Sequence, residues 1–153
     1  MEFVDIERFL PHRKPMLLLD SAALDGDVAR GKLQITGDEW FVQGHFPNHP
    51  VVPGVILCEA LAQTTAFLLA NGVPENKTPY LVGLNNVRFK RPVEPGDVFE
   101  TACKVDRIKE PFYFTTCEGF VGGKQCVKAE LSFALIEKKD DASQKKNDAS
   151  EPA

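Results

Sequence analysis

His45, Gly54 and Glu59 follow one another along a short stretch of this chain and could supply a base, a backbone donor and an acid. His45 sits in Trp40-Phe41-Val42-Gln43-Gly44-His45-Phe46-Pro47-Asn48-His49-Pro50, which is apolar yet too broken by proline for a helix. An imidazole takes or gives a proton near neutral pH, and the prolines limit how far the loop wanders. Glu59 falls within Val55 to Ala70, a run apolar around nearly its whole circumference. A carboxylate buried there costs several kcal/mol unless it has a partner or is protonated. No basic residue stands three or four positions away. Gln63, one turn on, could merely satisfy the carboxyl by a hydrogen bond, but a functional carboxyl is the stronger reading. Gly54 follows Pro53 at the start of the run, where helix N–H groups are left unpaired at the positive end. Such donors can hold a developing oxyanion, an effect worth roughly 2.7–4 kcal/mol per donor; the plain alternative is a helix start solvated by water.

Two other chemistries fit poorly. His45 and His49 are spaced as metal ligands on a helix would be, but Pro47 and Pro50 forbid that helix and no Cys or carboxylate completes the set nearby. No metal site is expected. Cys58 adjoins Glu59, yet apolar surroundings raise a thiol pKa, so core packing is expected rather than nucleophilic attack.

The elements that must position these groups can be read from periodicity. Pro53-Gly54 opens a helix that Asn71-Gly72 stops, about 25 Å long. Glu59, Gln63, Thr64 and Thr65 make it too polar to span a membrane. Asp5 can cap a short helix that Pro11 ends, Met16-Leu17-Leu18-Leu19-Asp20 reads as a first buried strand, and Arg30 to Thr36 alternates like a half-exposed one. From Tyr80 to Glu137 the pattern is an antiparallel meander. Val127, Ala129, Leu131, Phe133 and Leu135 share one face, and Gly122-Gly123 makes a hairpin turn. One central helix and about six strands give an α+β hot-dog fold, an antiparallel sheet wrapped around the helix.

The 153 residues suffice for one core, assigned to 1–137. Lys138 to Ala153 has no large apolar residue and balances its lysines against its acids, so residues 138–153 are expected to be a disordered, solubilising tail. A net charge of −4 and a pI near 5.4 argue against a nucleic-acid-binding module. The start lacks a basic segment followed by an apolar one, so a cytoplasmic location is expected. Cys58, Cys103, Cys117 and Cys126 form neither a CxxC pair nor a dense framework and read as four reduced, mostly buried thiols.

Gly44-His45-Phe46-Pro47 through Pro53-Gly54-Val55 to Glu59-Ala60-Leu61-Ala62-Gln63 closely resembles the signature of the FabZ-type (3R)-hydroxyacyl-acyl-carrier-protein dehydratases. The resemblance extends to Leu10–Asp20 and Val87–Asp97. It implies that His45 and Glu59 are the catalytic pair, that the Gly54 amide binds the thioester carbonyl, and that Tyr80 is an aromatic gate to the acyl tunnel. His49, where many members have Lys, and Cys58 are departures outside the catalytic set. It further implies a homodimer in which histidine and carboxylate come from different chains, dimers assembled into a hexamer, and no cofactor. Acyl carrier protein, an acidic partner, would dock on Arg88, Lys90 and Arg91, whose plainer reading is a solvated strand edge. The alternatives are a hot-dog acyl thioesterase and a non-catalytic acyl-thioester-binding protein.

Overall fold

The computed structural model describes residues 2–71 and 76–137; the expected tail lies outside them. One α-helix, α1 (Gly54–Ala70), is crossed by six strands: β1 (Ser21–Asp25), β2 (Val28–Gln34), β3 (Lys77–Phe89), β4 (Val98–Lys109), β5 (Phe112–Val121) and β6 (Lys124–Glu137). They form one antiparallel sheet in the order β1-β2-β4-β5-β6-β3. This is the hot-dog arrangement, with the helix as the filling.

The apolar run becomes a helix because it is long, lacks internal Gly or Pro and can bury nearly every side. Ile56, Leu57, Ala60, Leu61, Ala66 and Phe67 are buried with it, whereas Val55, beside the N-terminus, is 75% exposed. Its C-terminus ends where the Asn71 side chain donates to the Phe67 carbonyl at 2.8 Å. Inside the fold Thr64 and Thr65 return their hydroxyls to the carbonyls of Ala60 and Leu61, at 2.9 and 3.1 Å, and Thr64 also bonds Thr101 on β4 at 2.6 Å. These polar residues therefore sit in the core without orphaned groups.

Several expectations hold. Asp5 caps a short 3₁₀ turn at Ile6–Arg8, Gly122 and Gly123 turn the β5–β6 hairpin at φ 57° and 78°, and the expected β6 face is buried. All four thiols are free and buried.

Three readings need correction. Met16–Asp20 is not a strand, although Leu18 and Leu19 are buried. Its backbone bonds go elsewhere: Met16 and Leu17 N–H turn back to the Arg13 carbonyl, Leu18 N–H donates to Gln63 Oε1 at 2.9 Å, and the Met16 carbonyl accepts from Gln63 Nε2 at 2.7 Å. The half-exposed strand begins earlier than Arg30 and ends at Gln34, because Ile35 bonds the loop carrying Asp97. The meander holds for β4, β5 and β6 only; β3 crosses to the far side of β6 and becomes a sheet edge. That edge carries exposed Tyr80, Leu81, Val82, Leu84 and Phe89. Apolar edges of this kind call for a covering partner.

Candidate active site

His45 is held by main chain. Ahead of it, the Glu39 carboxylate accepts from Thr36 N at 2.8 Å, Thr36 Oγ1 at 3.1 Å and Gly37 N at 2.8 Å. Burial pushes this carboxyl up, but the amides of Thr36, Glu39 and Gly37 with the Thr36 hydroxyl outweigh it and hold Glu39 below its ordinary value. From that anchor Val42 N–H bonds the Glu39 carbonyl at 3.0 Å and His45 N–H the Val42 carbonyl at 3.1 Å. Gly44, at φ 85°, makes the bend that delivers the histidine. Val51 N–H then returns to the His45 carbonyl at 2.8 Å.

The ring is pinned from two sides. His45 Nδ1 lies 3.1 Å from the Val51 carbonyl, and the ring stacks on Phe46 with centroids 4.3 Å apart. A carbonyl only accepts, so Nδ1 carries a hydrogen, and in the neutral ring the free lone pair is on Nε2. The ring is therefore set up as a base.

At the start of α1, Gly54 and Val55 N–H groups have no protein acceptor among the described residues. A Cβ on Gly54 would come within 2.8 Å of the Phe89 ring, so a larger residue here would have to push that half-exposed ring aside. The Phe89 ring thus packs beside the Gly54 end of the helix, where the two amides are unpaired.

Glu59 lies further along α1 and, against the expectation of burial, its side chain is 27% exposed, because it stands where the helix meets the N-terminal segment at His12. The sequence offers it no basic partner within reach along the helix, but the fold does from elsewhere. Glu59 Oε1 accepts from Gln63 Nε2 at 3.1 Å and lies 3.7 Å from His12 Nε2. His12 was not among the site residues expected from the sequence. The available signal was arithmetic: the chain has three histidines, His45 and His49 share one loop, and a carboxyl on an otherwise apolar helix calls for a donor.

The other expected residues are spread out. Tyr80 is 54% exposed on β3, and the strand rise puts it about 25–30 Å from Phe89 at the other end, hence away from Gly54 of its own chain. Arg88, Lys90 and Arg91 are exposed near the Phe89 end, with Lys128 opposite Arg88 across the β3–β6 pair. Within one protomer no hydrogen bond joins His45 to Glu59 among the described residues. His49 is exposed and faces Glu94 at 3.7 Å. The Cys58 thiol is pushed up, chiefly by burial and then by nearby Cys117, as expected of a packing residue.

Comparison with known proteins adds what the geometry cannot. Residues 10–130 match the FabA-like domain family. The chain is 40% identical over 136 residues to the 3-hydroxyacyl-[acyl-carrier-protein] dehydratase FabZ of Clostridium beijerinckii, covering 86% of this chain and 96% of that one. It is 35% identical over 139 residues to the Fusobacterium nucleatum enzyme of the same name, covering 89% and 96%. The chain belongs to the FabZ-type dehydratases. Among solved structures, a chain of the dehydratase heterocomplex ApeI:P from Xenorhabdus doucetiae superposes with a TM-score of 0.75 at 18% identity, covering 95% of this chain and 98% of that one. A thioesterase-type protein from Ralstonia eutropha superposes at 0.62 and 19% identity, covering 74% and 81%. At these identities the superpositions show the fold alone, and the family rests on the sequence relatives.

Proposed function

We infer that the protein dehydrates (3R)-3-hydroxyacyl-[acyl-carrier-protein] to the trans-2-enoyl thioester, a step of fatty acid biosynthesis. The observation that carries the mechanism is the bond from His45 Nδ1 to the Val51 carbonyl, which in the neutral ring puts the free lone pair on Nε2. The thioester acidifies the hydrogen on C2, and His45 Nε2 removes it. The Gly54 and Val55 amides stabilise the enolate-like oxygen as charge moves onto it. The electron pair then forms the C2–C3 double bond and expels the hydroxyl from C3. Hydroxide is a poor leaving group, so Glu59 in its protonated form, or a water it holds, supplies the proton, and water departs. His45 and Glu59 return to their starting states once the first gives its proton up and the second regains one.

The site is assembled between chains: His45 of one protomer works with Glu59 of the partner subunit. Support comes from the apolar β3 edge, which a second β3 would pair to make a continuous sheet. Tyr80, remote from its own Gly54, then gates the neighbouring protomer's acyl tunnel. Three such dimers make the hexamer. Acyl carrier protein docks on Arg88, Lys90 and Arg91, beside Phe89, and the reaction takes place in the cytoplasm without a cofactor.

Purified protein given a trans-2-enoyl carrier thioester tests this reading. Hydration, the reverse reaction, removes the conjugated absorbance; a thioesterase would release free thiol, and a non-catalytic acyl-binding protein would do neither.

A further inference from the structure

His12 is drawn into no step so far, yet it stands beside the acid. The neighbouring Gln63 is wholly buried, and its amide orientation is forced: Oε1 faces the Leu18 N–H at 2.9 Å, and Nε2 faces the Met16 carbonyl at 2.7 Å. Flipping it would set donor against donor and acceptor against acceptor. The remaining hydrogen on Nε2 therefore points to Glu59 Oε1, which must accept it. His12 Nε2 approaches the same oxygen at 3.7 Å, while its Nδ1 is buried with no hydrogen-bond partner among the described residues. A hydrogen on Nδ1 would be stranded, so the ring hydrogen belongs on Nε2, facing Oε1. Hydrogen bonds in an unliganded site are commonly long and tighten once substrate binds.

We propose that His12 is a positioning residue for Glu59: with Gln63 it directs two N–H groups at Oε1, so that the mobile proton resides on Oε2, the oxygen left to face the substrate. Oε1 becomes the fixed acceptor and Oε2 the delivering hydroxyl. The proposal rests on Glu59 being the proton donor of the dehydration. A base alone cannot fill this role, because the geometry requires an N–H at the position of Nε2. His12 acts through the carboxyl.

The tests use the full-length protein in the hydration assay, with steady-state kinetics, oligomeric state and thermal stability measured for each variant. Glu59→Gln comes first and is expected to abolish turnover; if it keeps activity, the reading of Glu59 itself fails and the proposal falls with it. With that established, His12→Phe, which keeps the ring and removes the donor, is expected to lower kcat about 10- to 100-fold, as removal of an orienting partner does elsewhere, at nearly unchanged KM. His12→Gln puts an N–H near the place of Nε2 and is expected to recover most of the loss. His12→Asn places its N–H near Nδ1 and is expected not to. Full activity in His12→Phe, or equal losses in the Gln and Asn variants, would overturn the proposal. Should His12→Phe fail to fold, nitrogen NMR of labelled histidine in the wild type reads the tautomer: hydrogen on Nε2 of His12 supports the proposal, and hydrogen on Nδ1 overturns it.

Discussion

The loop that carries His45 is held by its own main chain, through the bonds of Val42, His45 and Val51, whereas the Glu59 carboxyl meets side chains: Gln63 from its own helix donates to it, and His12 from the N-terminal segment lies 3.7 Å away. The ring of His45 is oriented by a carbonyl that no substitution at position 51 except proline-induced rearrangement would remove. The carboxyl of Glu59 depends on two replaceable side chains. A base needs one lone pair aimed at one C–H, which a rigid loop provides. An acid must also distinguish its two oxygens, and that takes donors on one of them.

Breaking each side of this contrast should have graded effects. His45→Ala removes the base and is expected to cut kcat by about 10²–10⁴-fold, with circular dichroism and oligomeric state unchanged, since the loop's backbone bonds survive. Gly54→Ala adds a Cβ that meets Phe89 at 2.8 Å and shifts the amides; a loss in kcat/KM of about 10- to 100-fold is expected in steady-state assays. Glu39→Gln weakens the anchor ahead of His45. Because the Glu39 carboxyl is held below its ordinary value of 4.5, its contribution to stability is fully present above that value and is lost as pH falls through the lowered one. The melting temperatures of wild type and Glu39→Gln should therefore differ near neutral pH and converge on acidification. Cys58→Ala is expected to keep turnover within about twofold, and the native thiols should react slowly with an alkylating probe until the protein is unfolded.

What was legible in the sequence was the part encoded locally. α1 was readable at both ends because its apolar run is bounded by Pro53 and Asn71, and the β5–β6 hairpin because two adjacent glycines have one obvious use. The His45 loop was recognisable from its prolines. Non-local contacts were not legible. Met16–Asp20 has the composition of a strand, but Gln63 takes the Leu18 N–H and the Met16 carbonyl, and nothing in the local pattern foretells that. The placement of β3 at the edge beside β6 follows from how the sheet closes around α1, which no alternation of residues states. His12 reached the site for the same reason, carried there by a largely exposed stretch, Pro11–Met16, whose local pattern says nothing of Glu59.

The central claim is that His45 and Glu59 act together from different subunits. His45→Ala and Glu59→Gln proteins, each inactive alone, can be unfolded together and refolded as a mixture. If each site takes its histidine from one chain and its carboxyl from the other, every mixed dimer regains one intact site. Random pairing should then restore about a quarter of wild-type activity. A mixture verified to contain mixed dimers that stays inactive would contradict the shared site.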